Sequence, residues 1–87
     1  MKGVHPDSVI QVQVYMTNAA GVVVKYRDQF IAPPFAHGQP VAAVKAGLAE
    51  AIRRNTKIVP EGHSITKIQI VIWPPGKFPD FSKAHLN

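Results

Sequence analysis

The stretch VIQVQVYMT, Val9 to Thr17, decides the fold. Ile10, Val12, Val14 and Met16 alternate with Gln11, Gln13, Tyr15 and Thr17. Successive side chains of a strand point to opposite faces. This pattern therefore predicts a strand with one face in a core and the other in polar surroundings.

Working outward, Thr17-Asn18-Ala19-Ala20-Gly21 reads as a short hairpin loop, with Gly21 free to take the positive φ that closes it. Val22 to Gln29, or slightly beyond, is the second strand. Val22, Val24 and Tyr26 continue the apolar face, and Lys25 and Arg27 stand opposite. In the connection that follows, Pro33 and Pro34 remove two donors and favour an extended path. Pro40 suits a helix start, and Val41, Val44, Leu48 and Ile52 recur at helical spacing. A helix is expected from Pro40 to about Asn55, with Leu48 midway along its buried stripe and Arg53 and Arg54 at the end that favours cations. A turn at Pro60 to His63 leads to a third strand, Ile65 to Trp73. Ile68, Ile70 and Ile72 share one face; Lys67, Gln69, Val71 and Trp73 share the other.

The fold class is α+β: a single ββαβ domain in which a three-stranded, mostly antiparallel sheet carries one helix on one face. The expected strand order is 2-1-3; the alternative sets the third strand beside the second through a right-handed crossover. Residues 1–8 read as an N-terminal arm, 9–73 as the core, and 74–87 as a proline- and aromatic-rich tail. With 87 residues, the chain buries only about 60% of its unfolded surface, so association with another chain helps it.

One helix covers one face. The other carries Gln11, Gln13, Tyr15, Lys25, Arg27, Lys67, Gln69 and Trp73, with Val9, Val23 and Val71 between them. Aromatics that stack on bases and cations that hold phosphates suit single-stranded nucleic acid or an acidic partner. In order 2-1-3, Tyr15 and Trp73 lie about 20 Å apart, too far to stack adjacent bases. The plainer reading is that the face or the tail is consumed in a homodimer interface, with the chain a self-associating or small-ligand-binding protein. Ala42, Ala43, Ala46, Gly47 and Ala49 make the helix's flank small, and Gly47 there predicts a close packing contact.

After Trp73, Pro74-Pro75-Gly76 turns the chain into a tail that carries Phe78 and Phe81. These two rings are too apolar to stay in water and are expected to dock. A pocket of Phe35, His37 and Gly38 by the helix start is a candidate anion or small-ligand site.

Other chemistry is sparse. The chain has no cysteine, which removes disulfides, thiolate nucleophiles and sulfur-built zinc sites and suits a reducing compartment. Its four histidines form no ligand pair at close spacing, so no metal and no cofactor is expected. His37 beside Asp28 or Asp80 is the one candidate acid–base set, and the serines sit in no nucleophile elbow. The expectation is a non-enzymatic binding module. No apolar run approaches the ~20 residues of a membrane span, and residues 1–9 lack the apolar stretch of a secretory signal; a cytoplasmic location is expected. The net charge of +5 comes from ten bases against five acids.

Overall fold

The alternation in residues 9–17 delivers the central strand of the sheet. The computed structural model describes residues 3–78. It contains β1 (Val9–Asn18), β2 (Val23–Ile31), α1 (Val41–Arg54) and β3 (His63–Trp73), with 3-10 turns at Pro34–Ala36 and Thr56–Ile58. The strand order is β2-β1-β3, with both pairings antiparallel. This is the expected α+β architecture in the expected order.

β1 is central because it satisfies both neighbours, and it supplies half of the buried core. Ile10, Val12, Val14 and Met16 are all buried; Val4, Ala32, Ala36 and Val44 complete the set. Register carries the same face across the sheet. Val14 stands between Tyr26 and Ile68, and Val12 between Asp28 and Ile70. One irregularity lies between Tyr15 and Met16, whose partners on β3 are Lys67 and Ile65. Thr66 is the extra residue of this bulge, and its hydroxyl donates to the Tyr15 carbonyl at 3.2 Å. The bulge reverses the parity of β3, so Ile65 reaches the core that strict alternation denies it.

The hairpin is closed by Asn18 as much as by Gly21. The Asn18 Oδ1 accepts from the N–H groups of Ala20 and Val22, both at 2.9 Å. Gly21 takes φ +83°. This side chain stands in for a backbone turn acceptor, and β2 begins at Val23 rather than Val22.

Three expectations are corrected. Residues 3–8 are no loose arm: Val4 and Ser8 are buried. Val4 bridges to the connection, its N–H donating to the Gln39 carbonyl and its carbonyl accepting from the Gly38 N–H. Gly3 is required there, because a Cβ would overlap the Gly38 carbonyl. Pro33 is extended, but Pro34 opens a 3-10 turn, since the fixed φ of proline suits the first turn of a helix. Leu48 is only partly buried; Val44 is the buried residue of α1. The helix lies against β3 more than against β1 or β2. It thereby leaves a cleft of about 220 Å³ over β2, bordered by Val12, Phe30, Leu48, Ile52 and Ile58.

Candidate functional site

Register assembles the open face in rungs. Lys25, Tyr15 and Lys67 form one; Arg27, Gln13 and Gln69 the next; Gln29, Gln11 and Val71 a third; Ile31, Val9 and Trp73 the last. All eight residues expected on this face are on it.

Tyr15 is the centre of the cationic end. The ammonium groups of Lys25 and Lys67, from strands on either side, lie 5.4 Å and 5.5 Å from its ring centroid. Its hydroxyl donates to the Gln13 Oε1 at 2.9 Å, which fixes the ring on the sheet. Arg27 is one rung away, next to Gln13.

Among the described residues the face has no acid. Asp28 pairs with buried Val12 and so points to the helix side. Glu50 lies in α1, bonded to Arg54 at 2.6 Å. Asp7 precedes β1, and Glu61 lies in the turn before β3. Three cations thus share a surface with no internal counterion among the described residues. Charges so placed leave a positive potential toward solvent.

Trp73 closes the other end, six residues along β1 from Tyr15, as expected. The indole N–H donates to the Gln11 Oε1 at 3.3 Å. Phe78 meets the indole edge-on, with centroids 6.2 Å apart. The turn that allows this has Gly76 at φ +75° and the Lys77 N–H bonded to the Pro74 carbonyl. The expected docking of Phe78 is therefore present, against the chain's own Trp73. Phe81 lies outside the described residues, as does Asp80.

The residues of the second candidate pocket serve the fold. The His37 Nε2 is 2.8 Å from the Ala32 carbonyl, and the Gly38 N–H is taken by Val4. The cavity beside Phe35, about 220 Å³, is walled by Phe35, Gln39, Ala43, Val44 and Gly47, without His37 or Gly38. Gly47 makes no close contact: a Cβ there would meet nothing within 4 Å. The close packing predicted at that glycine is absent among the described residues.

No helix among the described residues is long and apolar enough to cross a membrane. No family model, curated protein or solved structure matches the chain.

Proposed function

We propose that this chain is a non-catalytic binding module whose open sheet face takes single-stranded nucleic acid. The observation that carries the reading is Tyr15 held between Lys25 and Lys67 on a face without acids among the described residues. Phosphates draw the two ammonium groups away and free the ring for a base. The exchange is favourable in magnitude. The two cation–π contacts at this exposed site contribute about 1–2 kcal/mol together, which a stacked base at about 1–3 kcal/mol offsets, and the attraction of the freed ammonium groups to phosphate adds to the balance. Gln13 and Gln69 offer amides one rung away. Trp73 lies too far along the strand to take the adjacent base, so it bounds the site. An acidic protein segment would use the same cations without the ring. The cysteine-free composition suits the reducing cytoplasm, where we place the module.

Fluorescence anisotropy with a labelled oligothymidylate tests this. Each phosphate neutralised on a single strand contributes about −0.7 to the slope of log affinity against log salt, so three cations predict about −2. Lys25→Ala flattens the slope by somewhat less than one unit, while Lys45→Ala, on the helix, leaves it unchanged. Tyr15→Ala weakens binding by about 1–3 kcal/mol at constant slope. Binding that responds equally to Lys45 and Lys25 and ignores Tyr15 rejects the reading.

Self-association is the second reading. It is favoured by the apolar row that β2 leaves in solvent, and it leaves the cationic face free.

A further inference from the structure

The large apolar side chains that stand most exposed among the described residues all belong to the stretch 22–41. Val22, Val23, Val24, Tyr26 and Ile31 follow β2; Phe35 and Val41 lie just beyond it. They are 36–66% exposed. Val23 and Ile31 lie on the open face and Val22, Val24 and Tyr26 on the helix face, so the exposed apolar surface, on the order of 600 Å² in all, flanks both sides of the β2 edge, against the roughly 800 Å² per partner of a standard interface. This row runs along a free strand edge. The Asn18 N–H donates to the Val22 carbonyl, and the Ala32 N–H to the Ser8 carbonyl. Hydrogen-bonded pairs alternate along an antiparallel ladder. The even residues of β2 therefore bond to β1, and Val23, Lys25, Arg27, Gln29 and Ile31 turn their backbone groups outward.

We propose that β2 pairs antiparallel with β2 of a second copy about a two-fold axis through Arg27, making one continuous six-stranded sheet. The proposal does not rest on nucleic-acid binding. Arg27 is the midpoint of the nine-residue strand, so full overlap places it opposite its own copy. Val23 then faces the partner's Ile31, and Val24 the partner's Phe30. Tyr26 faces the partner's Asp28, where the phenol can donate to the carboxylate. Beyond the strand, Val22 and its turn approach the partner's Phe35. Apolar groups meet apolar groups at both ends of the edge, while Lys25 faces the partner's Gln29 in the polar middle. A shift of two residues one way puts Lys25 against the partner's Arg27 twice; the other way opposes Asp28 to the partner's Asp28. The first shift doubles the like-charged pairs, and the second sets the Asp28 carboxylates at a non-hydrogen-bonded position, with Cα atoms about 4.5 Å apart rather than about 5.5 Å, and loses the Tyr26–Asp28 contact.

The favoured register keeps one like-charged pair, the two Arg27 side chains at the axis. Salt screens that pair, so raising salt tightens the dimer. It weakens nucleic-acid binding through counterion uptake. The opposite signs separate the two proposals. The dimer aligns two copies of the cationic face on one side of the sheet.

Cysteine crosslinking tests the geometry cleanly, because the chain has no cysteine of its own. Residues of a hydrogen-bonded pair have Cα atoms about 5.5 Å apart, inside the disulfide range of about 4.4–6.8 Å. Arg27→Cys is expected to form a disulfide dimer at least ~10-fold faster than Gln69→Cys, which is on β3 of the same face. A mixture of Lys25→Cys and Gln29→Cys, which retains Arg27, should crosslink between variants. Light scattering on the unmodified chain should give twice 9.5 kDa, with dissociation suppressed by salt. Equal rates for Arg27→Cys and Gln69→Cys overturn the proposal, as does preferential linking of Lys25→Cys to Arg27→Cys. A concentration-independent monomer overturns it too. A monomer that still binds oligonucleotide removes the dimer alone.

Discussion

Leu48→Ala measures how far the helix covers the sheet. The substitution removes three carbons, which at about 0.8 kcal/mol per buried methylene amounts to about 2.4 kcal/mol for a fully buried side chain. Leu48 is partly exposed and borders the open cleft over β2, so most but not all of that is lost. No closed void forms, because the space beside it is already continuous with solvent. The cavity term of a core truncation is therefore missing. The expected cost is about 1.5–2 kcal/mol, or roughly 6–16 °C in Tm for a domain of this size. Ile10→Ala also removes three carbons, but from a site with no exposure on the central strand. It bears the full transfer loss and a cavity, about 3–4 kcal/mol. Urea unfolding followed by far-ultraviolet circular dichroism at several protein concentrations gives both values. Equal costs for the two variants would refute the reasoning, since they require α1 to seal the strip over β2.

Gly47→Ala should stabilise the chain by about 0.8–1 kcal/mol in the same assay, because the added Cβ meets nothing and the helix gains propensity; a loss would reveal a partner packed on that flank. Asn18→Ala removes two acceptor contacts from the hairpin and should cost about 1–3 kcal/mol, with faster amide exchange at Ala20 and Val22 as the local signature. Phe78→Ala should cost about 0.5–1.5 kcal/mol beyond area burial through the lost edge contact with Trp73, and shift the tryptophan emission to the red; unchanged emission would detach that ring from the indole.

The sheet was legible because period-two alternation is strict in β1, and a strand so patterned between two others belongs at the centre. The eight residues of the open face follow from that parity and from the pairing order. Ile65 shows where parity stops: the bulge at Thr66 is set by a hydroxyl bonded to a carbonyl of the neighbouring strand, a contact between positions 51 residues apart. The lateral seat of α1 was not legible either. The spacing of Val44, Leu48 and Ile52 defines which side of the helix faces the sheet, but not which strands it lies above. The packing of Val4 was hidden for a similar reason. Its two backbone bonds to residues 38 and 39 leave no periodicity in so short a segment. Composition did not show that the described acids avoid the open face; the parity of β2 already set Asp28 with Tyr26 on the helix side, and the register agrees.

The most direct test of the binding account is a map of backbone amide shifts by nuclear magnetic resonance during titration with oligothymidylate at low salt. The account predicts that the largest shifts fall on Gln13, Tyr15, Lys25, Arg27, Lys67 and Gln69, at the end of the sheet where Tyr15 meets the two lysines. Shifts concentrated instead at Lys45, Arg53 and Arg54 on the helix, or none at all, would contradict it.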